Sequence, residues 1–319
     1  MSKNKLVSVI IPNYNTREDY LDEAISSVAG QIGIPLGDIE LVIVDDHSSP
    51  EGKRILERSI ERSRYVKPEL EIKLGSNKYG KGIGTARNTG IFNMSDADYI
   101  GILDSDDGLV PTTIGKTVET AERNKDCSLV FTDHIKSNGK LTNHLYIRDK
   151  SEFFRLHQLY KNTLNDPHLH LNMVGHFQLF RREALEAVGG YRDLPPCEDF
   201  DITLRMSHMN SDVNFMHVPE PLYIHRHNPG SVGNNKRKKS IAGVENILLS
   251  VLRELKYPIT DVKYLNRLYE TRSSFFNLLL GGNVIDVPWL DRMNCSIHEP
   301  SIEGTENEVA ISLPVSHQL

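Results

Sequence analysis

DYIGILDSDD, residues 98–107, is the stretch that decides the fold of this chain. Its first half is apolar and bounded by turn-forming residues, which is typical of a buried strand in a parallel sheet. The carboxylates of Asp104, Asp106 and Asp107 then follow at the carboxyl end of that strand, the edge where open α/β sheets bind ligands. Because clustered carboxylates repel each other, this edge favours a bound cation, although an isolated D-x-D also occurs in solvated acidic turns.

Two further predicted strands, residues 6–11 and 40–44, also end in polar residues. They run into PNYN and DDHSSP respectively, and each is followed by a helix-start pattern. Ser48 or Ser49 is the expected N-cap of one helix, and residues 16–19 (TRED) offer a capping arrangement for the other. Three strand ends are therefore predicted to converge on one polar cleft.

The composition is that of an ordinary globular protein, with 319 residues, of which 39% are hydrophobic and 25% charged. A net charge of -6 argues against nucleic acid as a partner, because a nucleic-acid-binding surface usually carries a strong basic excess. The three cysteines have no metal-ligand spacing, so we expect free thiols in a reducing compartment. No stretch approaches the ~18 apolar residues of a spanning helix. We expect a cytoplasmic protein, with peripheral association at the inner face of the membrane left open.

Six short motifs occur in the order found in the family-2 inverting glycosyltransferases with the GT-A fold, and the chain resembles that family over residues 5–233. The motifs are VSVIIPNYN, LVIVDDHS, GTARNTGI, ILDSDD, FRREALEAVGGY and EDFDITLR. The resemblance implies an α/β, doubly wound mixed sheet flanked by helices. It also implies transfer of a sugar from a nucleoside-diphosphate sugar to a hydroxyl acceptor. The residues by themselves indicate only an acidic cleft that is competent to bind a metal.

The predicted organisation is one large domain, residues 1–233, followed by a C-terminal helical appendage with a polar tail, residues 234–319. Within the large domain, residues 1–107 are expected to bind the nucleotide sugar and residues 108–233 the acceptor. Residues 134–165 are polar and aromatic, and we expect them to form a flap and a helix over the acceptor side. The helical tracts predicted in the appendage are residues 241–255 and 262–280.

The resemblance also implies which residues hold the nucleotide sugar. Asp46 matches a position that accepts from a uracil or guanine N–H, and Tyr14 one that stacks on the ring; a capping aspartate and a core tyrosine are the alternatives. The glycine-rich segment 77–88 would support the donor through its backbone. Arg87 would either bind phosphate or brace the acidic cluster. The remaining predicted donor contacts are Pro12, Lys78, Asp104, Ser105 and Arg226.

A divalent cation, Mn²⁺ or Mg²⁺, is implied for the diphosphate, with Asp106 as the direct ligand. Asp104 is assigned to the same cation or to a ribose or water-mediated contact, and Asp107 is expected only to orient the turn. Residues 223–233 (YIHRHNPGSVG) resemble a late family segment and are predicted to form a loop that closes over the diphosphate. His227 is its candidate metal ligand, although chance placement among 13 histidines is the alternative.

The general base predicted from the resemblance is Asp199, at the start of the helix pattern EDFDITLR. A carboxylate there could remove the proton of the acceptor hydroxyl while that hydroxyl attacks the anomeric carbon from the face opposite the leaving group. Glu198 is assigned to orienting the acceptor, and Asp201 is expected to face elsewhere. The alternative is that the two acids simply stabilise the helix start.

Other functions fit the same architecture less well. A catalytically silent nucleotide- or carbohydrate-binding module would not need both Asp106 and Asp199. A sugar nucleotidyltransferase or a dinucleotide-dependent dehydrogenase requires a glycine-rich loop directly after the first strand, where this chain has PNYN. UDP is the expected nucleotide by family frequency, while GDP and dTDP fit the same residues. The acceptor, whether a glycan, a lipid-linked saccharide or another hydroxyl compound, and the oligomeric state are left open. The chain lacks a Q-x-x-R-W segment, so transfer of one sugar per encounter is favoured.

Overall fold

The computed structural model describes residues 5–138, 144–148, 174, 176–192, 198–209, 214–227, 279–280 and 283–284. The chain divides into two compact units, Met1–Gly243 and Val244–Leu319, and each is described by itself. Among the described residues, no helix combines the length and the apolar character that crossing a membrane requires.

Four parallel strands form the first half of the sheet. They are β1 (Val7–Asn13), β2 (Ile39–Asp45), β3 (Glu71–Ser76) and β4 (Tyr99–Ile102). Their order is β3-β2-β1-β4, so β1 pairs in parallel with both β2 and β4. Every residue of β1 and β2 is buried, as expected for strands covered on both faces. The predictions for β1, β2 and β4 are confirmed. Strand β3 was not predicted, because it lies at the sheet edge and its charged residues interrupt the apolar pattern of a buried strand.

Six α-helices lie within the described residues, besides a 3₁₀ turn at Leu36–Asp38 and a π-helical turn at Gly90–Met94. They are α1 (Glu18–Ala29), α2 (Pro50–Val66), α3 (Ile83–Thr89), α4 (Thr113–Arg123), α5 (Arg182–Ala187) and α6 (Glu198–Met209). The hydroxyl of Ser49 caps α2 by accepting from the Gly52 N–H at 3.1 Å, as predicted. The capping arrangement predicted for α1 is wrong, because Arg17 is its N-cap and provides no side-chain bond. The Thr16 hydroxyl lies instead 2.6 Å from the Ser105 hydroxyl. This contact connects the segment after β1 to residues 104–107, which we call the acidic loop.

Two apolar cores lie on opposite faces of the sheet. Val7, Val9 and Ile11 of β1 belong to the core that also contains apolar residues of α1, α2 and α4. Ile10 belongs to the other core, with residues of α3, α5 and α6. This division follows the two-residue period of an extended chain, and it places helices on both faces. The doubly wound arrangement is confirmed.

The second half makes the sheet mixed. Its strands are β5 (Gly108–Leu109), β6 (Cys127–Asn138), β7 (His144–Arg148), β8 (Gln178–Arg181) and β9 (Asn214–His227). The order continues from β4 as β8-β6-β9-β5, with β7 paired to β6. Strand β8 is antiparallel to both β4 and β6, while β9 is parallel to β6 and antiparallel to β5.

Two expectations for this half need correction. Residues 134–138 and 144–148 were expected in a flap, but they form the antiparallel pair β6 and β7. The rest of the predicted flap, residues 139–143 and 149–165, lies outside the described residues. Residues 223–227 were expected in a closing loop, but they form the end of β9, because their backbone pairs with β5 and β6. Residues 228–233 are outside the described part of the chain.

In the second unit, the structure describes one antiparallel pair, β10 (Leu279–Leu280) and β11 (Asn283–Val284). The predicted helical tract 262–280 is therefore wrong at its last two residues. The remainder of the predicted helical appendage lies outside the described residues, and the domain limit at residue 233 stays a prediction.

Candidate active site

Backbone hydrogen bonds bring the three predicted strand ends together at one cleft. The Asp46 N–H donates to the Asn13 carbonyl at 2.8 Å, which joins the ends of β2 and β1. The Leu103 N–H donates to the Ile10 carbonyl at 3.1 Å, which joins β4 to the other side of β1. The polar residues that follow these strands consequently share the carboxyl edge of the parallel half-sheet.

Asp46 anchors the glycine-rich loop that precedes α3. Its buried carboxylate accepts from the Gly82 N–H at 3.0 Å and from the Asn77 amide at 2.7 Å. The same Asn77 amide nitrogen reaches the Gly80 carbonyl at 2.5 Å and the Thr85 hydroxyl at 2.9 Å. Sequence reasoning did not single out Asn77, and the contact of Asp46 with a nucleotide base stays a prediction.

Tyr14 stands at the mouth of this half of the cleft. Its ring is 49% exposed, and the Lys81 ammonium lies 3.7 Å from the ring centroid, in cation–π geometry. Lys78 is exposed, and Pro12 is buried within β1. An accessible aromatic residue with a lysine over its ring is compatible with a nucleotide, but the donor roles of these residues stay predictions.

Asp107 holds the acidic loop in place through buried hydrogen bonds to residues of β9. It is fully buried, and it accepts from the Tyr223 hydroxyl at 2.6 Å and from the Arg226 N–H at 2.7 Å. The His225 Nδ1 lies 3.1 Å from the same carboxylate. Burial alone would raise the pKa of Asp107, but the neighbouring imidazole and these hydrogen bonds outweigh it, and the pKa lies below its usual value. Asp107 therefore locks the loop to β9.

Asp106 carries an uncompensated carboxylate. No described residue forms an ion pair with it, and burial raises its pKa to about 7, with Asp107 and Asp104 adding to the rise. Among the described residues, no group of three or more His, Cys, Asp or Glu is arranged to hold a metal ion. A cation that also binds phosphates needs only one or two carboxylates from the protein. The two aspartates Asp104 and Asp106 fit that requirement.

Arg226 lies beneath the acidic loop. Its guanidinium is buried, donates through Nε to the Asp106 carbonyl at 2.6 Å, pairs with Glu23 at 2.5 Å and covers the Tyr20 ring at 3.9 Å. The prediction that it contacts the donor is not supported by this placement, because these groups occupy it. The His227 side chain, the third predicted metal ligand, lies outside the part of the structure that is described.

Arg87 joins the two sides of the cleft. It is 2% exposed, and one of its terminal nitrogens donates to Asp104 at 3.0 Å. The other donates to Asp199 at 2.5 Å and to Glu198 at 3.2 Å. Of the two roles left open for Arg87, this geometry corresponds to bracing the acidic cluster.

The two acids at the start of α6 have different surroundings. Glu198 is buried, and burial together with the neighbouring Asp199 raises its pKa to about 7, against the opposing effect of Arg87. The Asp199 side chain is 38% exposed and lines the pocket. Asp201 is fully buried and pairs with Arg205 at 2.8 Å, so it faces away from the cleft as expected. Asp199 is thus the accessible carboxylate of the three.

Part of the wall of this pocket was not found from the sequence. The pocket's polar and aromatic lining comprises Arg87, Asp104, Asp199, His176, Gln178 and Tyr223. The His176 ring stacks on Tyr223 at 4.9 Å and runs parallel to His225 at 5.9 Å. Arg87, Asp104 and Asp199 of this lining were predicted from their motifs, whereas His176 and Gln178 lie outside the six motifs and were not predicted.

Comparison with known proteins identifies the family and the fold. The family model for glycosyl transferase family 2 matches residues 8–189. The chain is 27% identical over 227 residues to the O-antigen biosynthesis protein RfbC of Myxococcus xanthus. That match covers 70% of this chain and only 16% of the relative, so the chain spans well under two thirds of that protein's length.

Two solved structures have a similar fold. The structure of S. aureus TarS 1-349 in complex with UDP-GlcNAc has a TM-score of 0.56 at 17% identity, covering 85% of this chain and 71% of that one. The mannosyltransferase PcManGT from Pyrobaculum calidifontis, in complex with GDP-Man and Mn²⁺, has a TM-score of 0.58 at 17% identity, covering 86% and 70%. Together with the family match over more than half of its length, these likenesses show that the chain belongs to glycosyl transferase family 2 and has the GT-A fold.

Proposed function

We propose that this protein is a metal-dependent inverting glycosyltransferase that moves a sugar from a nucleoside-diphosphate sugar to a hydroxyl acceptor in glycan or polysaccharide synthesis. The observation that carries the proposal is the contact of one buried guanidinium, Arg87, with both Asp104 and Asp199. Asp104 belongs to the donor side of the cleft and Asp199 to the acceptor side. The donor and the acceptor could therefore meet at the pocket that these residues line, and the sugar could be transferred from one to the other there.

The donor would lie along the carboxyl edge of β1, β2 and β4. The nucleotide would meet Tyr14 and the loop that Asp46 anchors, and the diphosphate would approach Asp104 and Asp106. A divalent cation held by these two aspartates would neutralise the departing nucleoside diphosphate. Support comes from the raised pKa of Asp106, since its charge is costly there without a cation. The fold neighbours TarS and PcManGT were solved with UDP-GlcNAc and with GDP-Man, and UDP is our first choice of nucleotide.

Asp199 would act as the general base. Its carboxylate is accessible and is held in place by Arg87, so it can accept the proton of a hydroxyl bound in the pocket. The acceptor oxygen then forms its bond to the anomeric carbon as the bond to the diphosphate breaks. A single displacement of this kind inverts the anomeric centre. Glu198 is more buried and would orient the acceptor through its position beside Asp199.

Transfer from UDP-GlcNAc, other UDP-sugars and GDP-mannose to a panel of saccharide acceptors, with Mn²⁺ present, tests this function. Asp199→Asn should lower kcat by about 10²–10⁴-fold with the donor Kd nearly unchanged, because a base acts in the transition state. The exposed Asp126→Asn is the matched control and should keep full turnover. Product NMR should show an inverted anomeric centre. A retained centre, full activity of Asp199→Asn, or donor binding without any turnover would each contradict the proposal, and the last would favour a silent binding module.

A further inference from the structure

Gln178 is a buried polar residue in the wall of the candidate active site. It is 6% exposed and lines the same pocket as Asp104 and Asp199. Its side-chain amide forms no hydrogen bond or ion pair within the described part of the chain. Buried side-chain amides in proteins are normally hydrogen-bonded. The Gln178 amide faces the pocket, where a ligand from outside the chain can supply that partner.

The backbone explains why the Gln178 side chain reaches this pocket. Gln178 is the first residue of β8, and it is paired with Ile102, the last residue of β4. The acidic loop begins two residues after Ile102, so the strand pair carries the amide to the point where Asp104 emerges. The aromatic ring of His176, two residues earlier in the chain, forms the neighbouring part of the wall.

Gln31 provides an internal comparison, because it is a glutamine of equal burial with a structural role. It is 5% exposed, and its amide nitrogen donates to the carbonyls of Ser27 at 3.0 Å and Val110 at 2.8 Å. Its amide oxygen accepts from the Ile114 N–H at 2.9 Å. A structural glutamine in this fold thus uses both ends of its amide. Gln178 uses neither within the described chain.

We propose that the Gln178 amide binds hydroxyl groups of a monosaccharide at the pocket that Asp104 and Asp199 also line, and that it is a specificity-determining residue of this enzyme. The inference rests on the proposed function. A carboxamide donates and accepts at once, so it can pair with two neighbouring hydroxyls of one sugar. The sugar is either the transferred residue of the donor or the terminal residue of the acceptor, since both present the same hydroxyl chemistry.

Calorimetry and kinetics on Gln178→Met test the inference, with Gln31→Met as the matched control. Parent and variants are titrated with UDP and with UDP-GlcNAc, and with GDP and GDP-mannose, in Mn²⁺. If Gln178 binds the donor sugar, Gln178→Met should weaken binding of the nucleotide sugar by about 10- to 100-fold and leave binding of the free nucleotide unchanged. If it binds the acceptor, the donor Kd should stay the same and the acceptor KM should rise by the same factor.

Thermal denaturation separates a ligand-binding amide from a structural one. Gln178→Met should keep or raise Tm, because no protein hydrogen bond is lost. Gln31→Met should lower Tm by several degrees and leave the Kd of the folded protein unchanged. A parent-like donor Kd and acceptor KM in an active Gln178→Met protein would overturn this inference alone, as would a Tm loss equal to that of Gln31→Met. A parent protein that binds no nucleotide sugar of the panel would overturn the proposed function as well.

Discussion

Replacement of Arg87 by methionine removes the one cation that three cleft carboxylates share. Arg87 is 2% exposed, and its two terminal nitrogens contact Asp104, Glu198 and Asp199 within 3.2 Å. Removing one partner of a buried ion pair costs about 3–5 kcal/mol, because the remaining charge stays buried without compensation. The Asp104 and Asp199 side chains are 31% and 38% exposed, so water screens them partly. We therefore expect the lower end, about 3 kcal/mol at pH 8, or roughly 6–12 °C in Tm.

The loss should depend on pH with a definite sign. Burial already raises the pKa of Glu198 to about 7, from an ordinary 4.5, and removal of Arg87 raises it further. Between these values the folded protein binds more protons than the unfolded chain, so its stability falls as pH rises. The deficit of Arg87→Met should therefore be large at pH 8 and should shrink at pH 5.5, where Glu198 is protonated in the folded state.

Urea denaturation followed by circular dichroism at both pH values measures this deficit. Arg58→Met is the matched control, since Arg58 forms its ion pair with Glu18 at the protein surface, and its midpoint should stay close to that of the parent. Arg87→Lys keeps a charge but cannot reach three carboxylates, and it should fall between the parent and Arg87→Met. A parent-like midpoint for Arg87→Met at pH 8, or an equal deficit at pH 5.5 and pH 8, would refute the reasoning.

The remaining predictions concern the donor. Asp106→Asn should abolish the stabilisation by Mn²⁺ plus UDP in a thermal-shift assay. In EDTA at pH 8 the Asp106→Asn variant should have a higher Tm than the parent, because a carboxylate whose pKa lies near 7 is an unfavourable charge above that pH. Nucleotide binding by the parent protein that is unchanged in EDTA would contradict the metal assignment. In the proposed donor arrangement Asp46 contacts the nucleotide base and not the sugar, so Asp46→Ala should weaken UDP and UDP-GlcNAc by the same factor. Equal UDP affinity of Asp46→Ala and the parent, measured by calorimetry, would reduce Asp46 to a loop anchor.

Much of the first half of the fold could be predicted because its signals are local. Continuous apolar runs predicted β1, β2 and β4, and Ser49 with Pro50 predicted the start of α2. The charged edge strand β3 and the strand β9 were not predicted, since their pairing depends on neighbours far away in the chain. The residues at the end of β9 look like a loop in isolation, and only β5 and β6 make them a strand.

The sequence by itself determined the family, the sheet edge that forms the cleft, and the carboxylates that stand there. Tertiary structure alone decided how those groups are used. It turned Arg87 toward Asp104 and Asp199, buried Arg226 against Glu23, and placed Gln178 in the pocket. The physical reason is that charge, burial and hydrogen bonding depend on distances in space. A strand pattern states which residues a sheet will carry, whereas the environment of each side chain exists only once the elements have packed together.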